Sequence, residues 1–178
     1  MLELRNRGEE VWPEDLRPIQ DDQDNKEPLI NWQARHAEAL SHLHPLIQEQ
    51  WIYRHFRESR FRFIDLAPLV WRMETWSTPD YLAQVHMEFG GPPDPEWDYR
   101  SFHEGGGFGP VETVRRWANG TWNIPPVILE TPAGVRSYDG ERPDVRFLLI
   151  EGSKRFRYLN ALHHRGEATG PNSVLVLG

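Results

Sequence analysis

The sequence predicts one α+β domain, a small mixed sheet with packed helices and a helical N-terminal portion. Three observations carry this expectation. Apolar residues recur at helical spacing between Asn31 and Trp117. Beyond Pro125 the pattern changes to short apolar runs bounded by turn residues, which reads as strands. Between two of those runs lies one further helical stretch, residues 153–165, so helix and strand share the C-terminal part. A chain of 178 residues with 38% hydrophobic content can build one sizeable core, whereas two domains would each be small. The expected division is a single domain over 1–178, with a polar arm at 1–29, a mainly helical part at 30–119 and a strand-turn-helix part at 120–178.

Each element has a local reason. The arm carries the polar run Asp21 to Glu27 and reads as an extended or partly disordered segment, with Trp12, Leu16 and Ile19 able to anchor part of it. Asn31 can cap a helix reaching about His44, with Trp32, Ala39, Leu40 and Leu43 close to one face. Pro45 interrupts that helix or starts the next, and Leu46, Ile47, Gln50, Trp51 and Tyr53 continue a helical pattern to about Phe56. Arg60-Phe61-Arg62-Phe63-Ile64 alternates basic and aromatic residues and predicts a strand with one buried face; base stacking in a nucleic-acid groove is the weaker reading of that alternation. Residues 66–76 are apolar without a clear period. Thr78-Pro79 starts a helix with Leu82, Val85 and Phe89 as its buried stripe and Gly90 as its stop. Residues 90–109, rich in Gly and Pro, predict a long loop. Pro110 opens a short helix that Asn119-Gly120 closes. Strands are expected over 125–129, 146–150 and 174–177, with a turn at Asp139-Gly140. Ser153 to Arg165 reads as a helix with Phe156, Leu159 and Leu162 on one stripe and Gly166 as the stop, and parallel strands are expected to be joined through it.

Composition excludes several functions. Without Cys there is no disulfide, no thiolate nucleophile and no Cys-based zinc site. The histidines lack the spacing of a helical metal pair, so no metal site is expected. No apolar run is long enough to cross a membrane, and the charged start lacks a secretory stretch, which predicts a cytoplasmic protein. The net charge of -7 makes nucleic acid an unlikely partner, because phosphate neutralisation drives such binding. The charge is uneven, however. Residues 1–30 account for -5 and residues 145–178 for +3, which suits a small anionic ligand near the C-terminus.

That positive segment contains Ile150-Glu151-Gly152-Ser153-Lys154-Arg155. A buried strand ends, Gly152 permits a sharp bend, and Ser153 can cap the helix that follows. The first turn of a helix presents unpaired N–H groups and the positive end of its dipole, so an anion is favoured there. Lys154 and Arg155 occupy positions where the helix itself prefers acids, which suggests that something negative is held nearby. Gly152, Ser153, Lys154 and Arg155 are therefore the candidate phosphate-binding residues.

The run Pro126–Leu129, a loop, and then Phe147 through Leu162 resembles the ParB/sulfiredoxin-like superfamily. Members place an acidic-Gly-x-x-Arg turn between a strand and a helix and use it to hold nucleotide phosphates. The resemblance covers about the last third of the chain. It implies Gly152, Lys154 and Arg155 as phosphate contacts and a nucleoside triphosphate with magnesium as the ligand. The chain departs from the family at Ser153. Sulfiredoxin has its catalytic Cys there, and the ParB-type nucleotide hydrolases and free-serine kinases have a Glu. Sulfinic-acid reduction as sulfiredoxin performs it is thereby excluded, and no catalytic residue carries over. Two function classes follow. One is a nucleotide- or phosphate-ligand-binding protein of this type. The other is a non-catalytic module with a protein partner, such as an immunity protein or antitoxin, which the acidic N-terminus and many Trp would suit.

Overall fold

The computed structural model describes every residue except 6–10, 22–25, 108, 116, 119, 120, 123 and 169. The chain runs through β1 (Leu2–Glu3), a 3-10 turn (Glu14–Leu16), α1 (Leu29–Arg35), and α2 (Pro45–Ile47), which continues as a π-helical segment (Gln48–Tyr53). It then forms β2 (Trp71–Trp76), α3 (Thr78–Gln84), β3 (Val85–His86), α4 (Pro95–Glu104), α5 (Glu112–Arg115), β4 (Trp117–Ala118) and β5 (Thr121–Trp122). The last part holds β6 (Val127–Glu130), β7 (Val135–Ser137), β8 (Gly140–Arg142), β9 (Phe147–Glu151), α6 (Ser153–His164) and β10 (Asn172–Leu177). The class is mixed α+β.

The organising element is a five-stranded mixed sheet in the order β2-β10-β6-β9-β3. Strand side chains alternate between faces, and both faces of this sheet are covered. Val127, Leu129, Leu148, Ile150, Leu175 and Leu177 meet Leu4, Trp12, Trp32, Trp51 and Phe56 from the N-terminal part. Ile128, Leu149, Val174 and Val176 meet Tyr81, Phe102, Phe156 and Leu159 from α3, α4 and α6. A smaller sheet, β1-β7-β8, lies apart from it in pairing, with β1 parallel to β7.

The predicted strand-turn-helix unit is present as β9, Gly152 and α6. Its connectivity differs from the expectation. β6 lies between β9 and β10, parallel to β10 and antiparallel to β9, so α6 joins strands that run in opposite directions. β6 takes the central position because its apolar run Val127, Ile128 and Leu129 is buried on both faces, with only Glu130 at its end partly exposed.

The described residues of the N-terminal arm pack along the body. Leu2 and Glu3 pair with β7, and Leu4, Trp12 and Leu16 are buried. The Trp12 indole donates to the Ile64 carbonyl at 3.0 Å, and the Trp32 indole donates to that of Leu16 at 2.7 Å. Ile19 stays exposed.

Several elements depart from their local pattern. Arg60–Ile64 forms turns and no strand. Its alternation arises because Arg60 lies over the Phe89 ring and Arg62 over the Phe56 ring, while Phe61 and Ile64 enter the core three apart. The first helix spans only Leu29–Arg35, and residues 36–43 continue as turns that still bury His36, Leu40 and Leu43. The helix from Thr78 stops at Gln84, because Val85 and His86 pair in parallel with β9. The segment predicted as a loop contains α4, with Asp94 capping Trp97 N–H at 3.0 Å, Pro95 in the first turn and left-handed Gly105 at its end. The proposed stop at Asn119-Gly120 lies outside the described residues.

Candidate functional site

A cleft of about 550 Å³ opens where β9 ends and α6 begins. Leu149, Ile150, Glu151, Gly152, Ser153 and Lys154 line one side, and the other comes from Trp51 to Phe61, Met87 to Gly90 and α4. Sequence places this mouth by a local device. β9 is driven into the sheet by its apolar run. Gly152 then takes a left-handed conformation (φ 111°), and α6 starts at once.

The start of α6 is electrostatically open. It has no side-chain cap and no acidic residue in its first turn. The first hydrogen bond closed is from Phe156 N–H to the Gly152 carbonyl, at 2.9 Å. The N–H groups of residues 153–155 are thus left at the positive end of a 12-residue helix dipole. Ser153 and Lys154 are exposed beside them, and Lys154 makes no ion pair among the described residues.

The other charges around the mouth are engaged. Arg157 binds both carboxylate oxygens of the buried Asp98, at 2.8 and 3.0 Å, and also donates to the carbonyls of Gly90 and Gly91. His55 stands 3.8 Å from both Glu58 and Glu151. Arg60 lies on the Phe89 ring, 4.7 Å from its centroid. Trp97, 54% exposed, and the half-buried Phe89 offer aromatic surface inside the cleft.

Of the four sequence-predicted residues, Gly152, Ser153 and Lys154 line the cleft. Arg155 lies behind the turn. Its guanidinium packs on Gly152 so closely that a Cβ there would meet two of its nitrogens at 2.9 Å. It donates to the Gln50 side-chain oxygen at 2.7 Å and stands 3.8 Å from Glu151. Gln50 in turn donates to the Pro125 carbonyl at 3.2 Å. The π-helical turn at Gln48–Tyr53 turns Gln50, Trp51 and Ile52 all inward, which brings Gln50 to Arg155.

Sequence reasoning missed Asp98, Arg157 and Gln50. Only Asp98 had a local signal, the Asp94-Pro95-Glu96 helix start. Behind α6, the Tyr158 hydroxyl meets the His103 ring nitrogen at 3.1 Å, and burial pushes its phenol up to about 12. Tyr81, fully enclosed, is raised by burial as well. Neither phenol is among the residues that line the cleft. Among the described residues no group of three or more His, Asp and Glu is placed to hold a metal ion, and no helix is long and apolar enough to cross a membrane.

Comparison with protein families, curated proteins and solved structures finds no match. The likeness to the ParB/sulfiredoxin-like superfamily therefore stands on its motif alone.

Proposed function

We propose that this protein binds a phosphate-bearing small molecule, a nucleotide, in the cleft at the start of α6. The single observation that carries the reading is an uncapped 12-residue helix, with no acid in its first turn, opening directly into that cleft. The phosphate sits over the N–H groups of Ser153 and Lys154, and the Lys154 ammonium supplies the counter-charge. Gly152 makes the bend from which α6 starts, with φ 111°. Trp97 and Phe89 offer a stacking surface for a base. Arg155 supports the turn from behind through Gln50. The reading stops at binding, because Ser153 stands where the family's chemistry needs a thiol or a carboxylate.

A thermal-shift series with nucleoside mono-, di- and triphosphates, with and without magnesium, tests this. Binding to the native state raises the melting temperature by mass action, by about 2.7 kcal/mol of stability at a hundredfold excess over Kd. Lys154→Ala is expected to abolish the ligand-induced rise and to leave the unliganded melting temperature unchanged, since Lys154 is exposed. No rise with any nucleotide at millimolar concentration would sink the proposal and leave the interaction-module reading.

A further inference from the structure

Strand β2 is an edge of the five-stranded sheet and, among the described residues, pairs only with β10. Just before it, Val70 and Gly178 exchange both backbone hydrogen bonds, each at 3.0 Å. Such pairs alternate along an antiparallel ladder. Arg72, Glu74 and Trp76 therefore also turn their backbone groups toward β10. Trp71, Met73 and Thr75 point theirs away from the sheet, where no strand meets them among the described residues. Soluble proteins usually blunt such an edge with charged side chains, Pro, a bulge or an inward-pointing charge; the two charges of β2, Arg72 and Glu74, are of opposite sign. Here the register with β10 is unbroken over six residues, and the strand contains neither Pro nor Gly. Val70, Trp71 and Met73 are 66%, 40% and 45% exposed, which is costly surface for an unoccupied edge.

Charge selects the occupant. Only outward-facing residues can exchange hydrogen bonds across this edge, so an antiparallel second copy must place odd-numbered residues opposite odd-numbered ones. Met73 opposite Trp71 would set Arg72 against Arg72. Met73 opposite Thr75 would set Glu74 against Glu74. Met73 opposite Met73, on a two-fold axis, sets Arg72 against Glu74 on both sides of the axis. That register also pairs Trp71 with Thr75 twice and satisfies every outward backbone group of the strand. Arg72 and Glu74 already share one face, ion-paired with each other, and Arg72 reaches Glu130 at 2.6 Å. The second copy extends this into a charge ladder across the interface.

We infer that β2 is a homodimer interface, an isologous antiparallel pairing of two β2 edges with Met73 on the two-fold axis. The strand is self-complementary in hydrogen bonding and in charge only in that register.

Sedimentation velocity across a dilution series tests the inference, with circular dichroism and melting temperature to verify folding. The full chain is expected to show a concentration-dependent dimer. Arg72→Glu and Glu74→Arg, each alone, bring like charges face to face and are expected to raise the dimer dissociation constant about tenfold or more. The combined Arg72→Glu/Glu74→Arg chain restores opposite charges and is expected to recover the dimer. Met73→Cys introduces the chain's sole cysteine. On the axis the Cα atoms lie about 5.5 Å apart, so mild oxidation is expected to give a covalent dimer. A monomer at every concentration would overturn the inference and leave the edge to a foreign strand. A dimer indifferent to both single reversals would overturn it too. If a reversal variant fails to fold, the Met73→Cys cross-link decides: a dimer supports the pairing and its absence refutes it.

Discussion

Gly152 shows how one position can set a site. At φ 111° an L side chain is strained, and a Cβ would lie 2.9 Å from both the Arg155 guanidinium and Pro126. Gly152→Ala is expected to cost about 1–3 kcal/mol, seen as a lower midpoint in urea. Arg155 is tied to the same turn, and its removal leaves the Gln50 oxygen without its donor. Arg155→Ala is expected to lose about 1.5–3 kcal/mol of stability while nucleotide affinity changes little. Reduced affinity with an unchanged melting temperature would instead put its guanidinium on the ligand. The titration of His44 bears on local structure. Its Nδ1 accepts the Leu46 N–H at 3.1 Å at the start of α2, and burial lowers its pKa from the ordinary 6.5. Protonating that nitrogen removes the acceptor. As pH falls below 6.5 the unfolded chain takes up a proton that the folded chain resists, so stability is lost in that direction. His44→Asn, which keeps an acceptor and does not titrate, is expected to flatten the fall in melting temperature between pH 7 and 5.

At the scale of elements, α4 and α6 are joined by a charge pair that local sequence does not announce. Asp98 is fully buried on α4, and Arg157 from α6 donates to both its oxygens through Nη1 while Nη2 holds the carbonyls of Gly90 and Gly91. One guanidinium thereby fixes a glycine-rich connection against two helices along the wall of the cleft. Asp98→Ala would leave a largely buried cation without its carboxylate, and the expected loss is about 3–5 kcal/mol. Denaturant unfolding measures it. A loss under about 1 kcal/mol, the range of exposed pairs, would mean that water replaces the carboxylate and that the pair does not hold the wall.

Across the whole molecule, the sheet is stable only because two different layers cover it. The N-terminal layer depends in part on residues just outside the regular elements, Leu4 and Trp12. Trp12 packs edge-on to Trp51 with ring centroids 5.1 Å apart, and Leu4 is completely buried. Deleting residues 1–17 is expected to uncover Trp51 and Phe56, lower the melting temperature sharply and raise binding of a hydrophobic dye. An unchanged melting curve would show that the arm is an accessory and no part of the core.

Local signals sufficed for the C-terminal unit. Phe147 to Ile150 is apolar and strand-forming, Gly152 permits the bend, and Phe156, Leu159 and Leu162 mark the buried stripe of α6, so β9, the turn and the helix were legible residue by residue. α4 had readable caps in Asp94 and Gly105, but the surrounding Gly and Pro obscured them. The α+β class followed from these patterns. Tertiary structure alone decided the rest. Arg60–Ile64 looks extended because its arginines cover rings contributed by Phe56 and Phe89. The order of the sheet depends on which strand can be buried on both faces, a comparison made across the whole chain. Arg155 turns from the cleft because Gln50, 105 residues away, accepts its hydrogen bond, and Arg157 is claimed by Asp98, 59 residues away. Local periodicity reports which side of an element is buried. It carries no information about which distant polar group meets a buried charge, because that pairing is selected only when the layers close and water is excluded.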